Sequence, residues 1–147
     1  MHPFPHFYTV TSTTGPEGDV VLNSPGVPAL PTATPVEFDG PGDRWSPESL
    51  LVAAVADCFL LTFRGIAKAS KMPWTSVSCE VVGRLERVER ITKFTDIVVR
   101  ARLRLPPQAN EEQAERILVR AEETCLITRS LTATTHLETA IEIATLV

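Results

Sequence analysis

The segment SPESLLVAAVADCFLLTF, residues 46–63, constrains this chain more than any other part of it. Ser46 is a good N-cap, Pro47 suits the first helical position, and Glu48 sits where the helix dipole favours a carboxylate. The helix predicted from this start continues to about Ser70, where KMPW ends it. Between Leu50 and Phe63 apolar residues cover nearly every face, as expected of a helix buried at the centre of a domain. One stripe at helical spacing runs through Leu51, Ala54, Cys58, Leu61 and Gly65. The apolar run also holds Asp57 and Thr62 and is shorter than the roughly twenty residues of a membrane span, so no membrane partner is expected.

A chain of 147 residues suffices for a single domain over 1–147. The net charge of −4 gives no electrostatic footprint for nucleic acid. Three cysteines without tight spacing argue against a disulfide framework and fit a reducing compartment. MHPFPHFYTV has neither the basic region nor the apolar stretch of a signal peptide, so the expected location is cytoplasmic.

Around the central helix the pattern is that of an α+β domain. FYTVTST and DVVLNS flank TGPEG as a hairpin, and ALPTATPVEF is extended, its prolines suiting an edge strand or loop. After the helix, Val77 to Glu86 and Asp96 to Leu105 alternate as half-buried strands of antiparallel sheets, joined through RVERITKF. Asn110 caps a second helix with apolar face Ala114, Ile117, Leu118 and Ala121, and Cys125 one turn further on. In a final strand Leu137, Ile141 and Ile143 share one side.

Cys79 lies among valines on the apolar face of a strand and reads as core. Cys58 and Cys125 each sit on the predicted buried stripe of a helix. Two helices on one sheet could bring them together, as two small core residues or as a reactive pair. A reactive thiol needs a lowered pKa. Mid-helix burial and the neighbouring Asp57 would raise that of Cys58, so reactivity calls for a cation from elsewhere in the fold. His2, His6 and His136 are scattered and no C-x-x-C occurs, so no metal is expected. Arg100, Arg102 and Arg104 read as a solvated strand face with Glu80 and Glu86 nearby. No nucleophile-elbow pattern supports a hydrolase.

SPESLLVAAVADCFLLTF resembles the (S/N)PE-x-L-x-x-A-x-x-x-C-F segment of the OsmC/Ohr family (osmotically inducible protein C / organic hydroperoxide resistance protein). A second cysteine follows in AEETCLITRSL, and the order of elements agrees along nearly the whole chain. The resemblance implies an OsmC-like fold and a thiol peroxidase without cofactor, with Cys58 peroxidatic, Cys125 resolving and Glu48 catalytic. It further implies an organic hydroperoxide substrate, an external dithiol reductant and an intertwined two-fold homodimer. Glu48 and Cys58 lie ten residues apart, about 15 Å along one helix, so Glu48 would act on the Cys58 of a partner helix. The chain departs from the family in two places. The first hairpin turn, TTGPEGD, lacks the family's arginine, leaving Arg44 or Arg129 as candidate cations. Leu126 stands where a proline usually follows the resolving cysteine. The first departure leaves open a binding protein for a small hydrophobic ligand, or a redox sensor, on the same fold.

Overall fold

In the computed structural model, which describes residues 1–146, the helix begins where the sequence places it. The Ser49 amide donates to the Ser46 hydroxyl at 3.1 Å, and the Ser46 amide donates to the Ser49 hydroxyl at 2.9 Å. This is the reciprocal arrangement of a capping box, with serine at the position usually held by glutamate. The helix, α1, runs over Pro47–Ala69. The chain forms two compact units, residues 1–51 and those from Val52 onward.

The first unit carries a three-stranded antiparallel sheet of β1 (Thr11–Thr13), β2 (Val20–Asn23) and β3 (Leu30–Thr32), in that order. The hairpin through the Gly/Pro turn forms as expected, with Thr13 opposite Val21. Its first strand is shorter than expected, because β2 ends at Asn23 and leaves Phe7 to Val10 without a partner strand. β3 is an edge strand, which tolerates Pro31. A single 3-10 turn follows at Val36–Phe38. Gly40 then folds back so closely that a Cβ there would lie 1.6 Å from the Thr34 carbonyl oxygen, so only glycine fits. Thr32 bridges to Trp45 and hands the chain to the helix cap.

The second unit holds the rest of α1 and a sheet ordered β4 (Ser76–Val88), β5 (Ile91–Leu105) and β6 (Thr134–Ile143). β4 and β5 pair antiparallel, but the strands absorb most of RVERITKF and only Glu89 and Arg90 make the turn. Both have positive φ, 50° and 69°, the geometry of a tight hairpin turn that usually carries glycine or asparagine. The expectation of purely antiparallel sheets fails at β6, which lies parallel to β5. Parallel neighbours need a crossover, and α2 (Glu111–Glu123) with the short α3 (Leu126–Arg129) supplies it.

The core of this unit is built from three apolar faces. α1 gives Val55, Phe59, Phe63 and Ala67, while β5 gives Ile97, Val99, Ala101, Leu103 and Leu105. α2 gives Ala114, Ile117, Leu118 and Ala121, the face expected, behind an Asn110 cap that accepts from the Gln113 amide at 2.9 Å. The α1 stripe repeats strictly at i+4. Of the predicted stripe through Leu51, Ala54, Cys58, Leu61 and Gly65, Ala54 and Cys58 lie one residue before it and Leu61 and Gly65 two. On that face Leu61 is 53% exposed and Gly65 is exposed. The helix is therefore not buried all round within the chain. At 23 residues it is long and apolar enough for a membrane span, yet its buried spine is the centre of the unit's core.

Candidate active site

The one-residue offset decides the position of Cys58. It sits beside Phe59, on the shoulder of the buried spine, and is half-buried. Cys125 is 1% exposed, but it does not extend the stripe of α2 as expected. That helix stops at Glu123, Thr124 closes it by donating from its hydroxyl to the Arg120 carbonyl at 2.7 Å, and Cys125 is the N-cap of α3. With φ −61° and ψ 111° it is extended, so the chain turns at the cysteine. The amides of the residues that follow are thereby set free of helical partners.

Cys58 lies at this turn. Its neighbours are the Cys125 thiol, the Thr62 hydroxyl at 3.9 Å, and the backbone N–H groups of Ile127 and Leu126. Burial pushes the Cys58 thiol up. The Ile127 amide, the Cys125 thiol, the Thr62 hydroxyl and the Leu126 amide together outweigh it, so the net position is below that of an ordinary cysteine. Mid-helix burial and Asp57 were expected to raise this thiol unless a cation intervened; it is lowered with no side-chain cation among the groups acting on it. Backbone dipoles do the work a cation was expected to do, by hydrogen-bonding the charged form. Asp57, assumed to act on the thiol, is exposed to solvent. Cys125 moves the other way: burial raises it, Thr128 partly offsets that through its amide and hydroxyl, and proximity to Cys58 raises it further. The pair is thus split into one thiol biased towards thiolate and one biased towards neutral thiol. Both are free.

The remaining predicted residues are placed as follows. Arg129 turns its guanidinium to the Glu123 carbonyl at 3.0 Å and is not among the groups acting on Cys58. Arg44 belongs to the first unit, where Asp19 holds it at 3.1 Å and Asp43 at 3.6 Å. Glu48, also in the first unit, has one carboxylate oxygen buried without any hydrogen-bond partner. Cys79 packs on the core, and burial raises its thiol. Arg100 is clamped by Glu138 at 2.8 Å and Glu80 at 3.0 Å, and Arg104 pairs with Glu142 at 3.2 Å, a solvated ion-pair face as expected. Glu86 instead takes Arg84 and the Thr95 hydroxyl. Outward-facing His136 meets Asp96 at 3.2 Å.

Ile127 and Thr128 carry no sequence signal for this site; Thr62 stands out in the sequence only as a polar residue in the apolar run, and Leu126 only as a departure from the family pattern. Thr62 carries a weak signal, one helical turn after Cys58. The Leu126 amide has a clearer one: only a residue other than proline possesses that N–H.

Residues 40–140 match the model of the OsmC-like protein family. An uncharacterized protein of Bacillus subtilis, YmaD, is 24% identical over 136 residues, covering 90% of this chain and 91% of its own. Among solved structures, an OsmC-like protein of unknown function from Vibrio cholerae superposes with a TM-score of 0.85 at 18% identity, over 92% of this chain and 100% of that one. An organic hydroperoxide resistance protein OsmC from Legionella pneumophila gives 0.74 at 22% identity, over 95% and 99%. At these identities the structural likeness carries the fold.

Proposed function

We propose that this chain, which belongs to the OsmC-like protein family, is a thiol-dependent peroxidase acting on organic hydroperoxides. The observation that carries the reading is the meeting of Cys58 and Cys125 at the start of α3, with Cys58 biased towards thiolate. The Cys58 thiolate attacks the terminal peroxide oxygen and the O–O bond breaks. The alkoxide takes a proton and leaves as an alcohol, and Cys58 becomes a sulfenic acid. The Cys125 sulfur, as thiolate, then displaces hydroxide from that sulfur, water forms, and a Cys58–Cys125 disulfide results. An external dithiol reduces it by two exchange steps, becoming a disulfide itself. The raised Cys125 favours a neutral thiol until the sulfenic acid forms, which keeps the roles of the two sulfurs distinct.

Assembly belongs to the same reading. Leu61 and Gly65 leave an apolar strip of α1 open, and such a strip needs cover. A second copy packed against it about a two-fold axis would bring its Glu48 towards this chain's Cys58, giving a homodimer with two shared sites. A reducing cytoplasm would keep both thiols in the free state the mechanism begins from.

The test is oxidation of the reduced protein by one equivalent of cumene hydroperoxide, followed by stopped-flow thiol loss and peptide mapping. A Cys58–Cys125 bridge should form with Cys79 still titratable, faster than with hydrogen peroxide. A bridge containing Cys79, or no thiol loss within seconds, would overturn the assignment.

A further inference from the structure

Among the described residues, the buried polar side chains are Thr32, Ser46 and Thr128. Thr32 binds the Val20 carbonyl and Ser46 caps α1, so both belong to the scaffold. Thr128 stands instead beside Cys125. It is the third residue of α3, and its hydroxyl folds back to donate to the Cys125 carbonyl at 3.1 Å. That bond is redundant, because the same carbonyl accepts from the Arg129 amide, also at 3.1 Å. The Cys125 backbone is therefore satisfied with or without the hydroxyl.

The hydroxyl also acts on the Cys125 sulfur, together with the Thr128 amide. It carries a single proton and rotates about its C–O bond, so it serves one of its two acceptors at a time. Among the described residues, the one titratable group acting on that sulfur is Cys58, and it opposes ionisation. Arg129, the cation next along the chain, is turned to the Glu123 carbonyl. A buried thiol without a cation depends on hydrogen-bond donors to carry negative charge.

We infer that Thr128 is a positioning residue for the second chemical step, its hydroxyl a donor kept on the Cys125 carbonyl and passed to the Cys125 sulfur as that sulfur takes up negative charge. The inference rests on the peroxidase reading, to which it adds the means of activating the second thiol. In that step the S–H bond of Cys125 breaks, its sulfur forms the S–S bond to Cys58, and the S–O bond of the sulfenic acid breaks. The proton leaves with the displaced hydroxide as water, so no further reagent enters. Before the step the hydroxyl rests on a neutral carbonyl. During it the charged sulfur is the stronger acceptor, and once the disulfide has formed the proton returns to the carbonyl. Only the hydroxyl has to rotate, since the Arg129 amide keeps the carbonyl paired throughout. A donor that binds the transition state more strongly than the ground state speeds the step it serves.

Thr128→Val removes the donor and Thr128→Ser restores it. With one equivalent of cumene hydroperoxide, both variants should oxidise Cys58 at the wild-type rate, because Thr128 is not among the groups acting on Cys58. Disulfide formation should be roughly tenfold slower or more in Thr128→Val, with more Cys58 sulfenic acid trapped by dimedone, and close to wild type in Thr128→Ser. A second arm needs no peroxide. In chains carrying Cys58→Ser and Cys79→Ser, thiolate absorbance reports Cys125 alone, and adding Thr128→Val should move its titration to higher pH while Thr128→Ser leaves it in place. Failure of the peroxidase reading shows as no oxidation of Cys58 in the wild type, and the titration still decides whether the hydroxyl acts on the sulfur. An unchanged disulfide rate in Thr128→Val, equal slowing in Thr128→Ser, or coincident titrations would overturn the inference.

Discussion

Leu126→Pro isolates the backbone contribution to the reactivity of Cys58. The substitution removes one N–H and little else. Leu126 is the first residue of α3, a position where proline is favoured, and its side chain is 66% exposed. The preceding Cys125 has ψ 111°, close to the extended region a following proline requires. The lost amide is one of four groups that pull the thiol down, and the last in strength. A hydrogen bond to a charged acceptor contributes about 1.5–3 kcal/mol, but the half-buried thiol is partly screened by water. A discounted value of about 1 kcal/mol corresponds to roughly fivefold less thiolate below the pKa. Peptide-resolved alkylation with iodoacetamide across pH reads this directly. The Cys58 rate of Leu126→Pro should fall about fivefold at low pH and converge with wild type where both are fully ionised. Leu126→Ala keeps the amide and should follow wild type throughout. If Leu126→Pro also follows wild type with an unchanged Tm, the amide does not stabilise the thiolate and the electrostatic account of the site is wrong.

Phe59→Ala removes a ring that is 1% exposed at the centre of the core and should cost about 3–5 kcal/mol in urea unfolding, far more than Leu61→Ala on the open strip. Glu122 is held up by burial and by Glu123, so its folded form resists ionisation. Its contribution is fully present below the unfolded pKa and lost as pH rises through the folded one, so Glu122→Gln should raise Tm at pH 7 and change it little near pH 3. For the proposed shared site, a heterodimer of Glu48→Ala and Cys58→Ser chains should keep one competent site, whereas either homodimer should be impaired. A verified heterodimer without recovered peroxidase activity would exclude sharing.

Much of the scaffold was legible because it depends on side-chain chemistry with short range in sequence. The Ser46 and Asn110 caps, the Gly/Pro hairpin and the alternating strands β4 and β5 are of this kind. The direction of β6 was not, since alternation reports which face is apolar and is silent on parallel or antiparallel pairing. The tight turn at Glu89 and Arg90 was hidden because neither residue carries the usual signal for positive φ. The buried side of α1 was misplaced for a related reason: when every face is apolar, periodicity cannot choose among them. The nearness of Cys58 to Cys125 was open to the sequence, which placed both on helix stripes, whereas Cys125 in fact lies past the end of α2. The source of the thiol's activation was not open to it, because an unpaired N–H is a property of where a helix ends.

That source has a consequence for the proposed cycle. An arginine acts on a thiolate over several ångströms and can approach from any element or from a partner, whereas an N–H donor acts only in contact and from a fixed direction. The backbone donors to Cys58 come from Leu126 and Ile127, the two residues directly after Cys125, and only Thr62 acts from α1 itself. The segment that lowers the thiol therefore also carries the resolving sulfur, and neither can be displaced without the other. Any movement that withdraws Cys125 from Cys58 would release the thiolate from its donors and return it towards an ordinary cysteine. Under the proposed mechanism, a Cys58 sulfenic acid is then formed at speed only in the conformation where Cys125 is beside it. Over-oxidation is limited by geometry at the first step, because the unresolvable conformation is also the less reactive one.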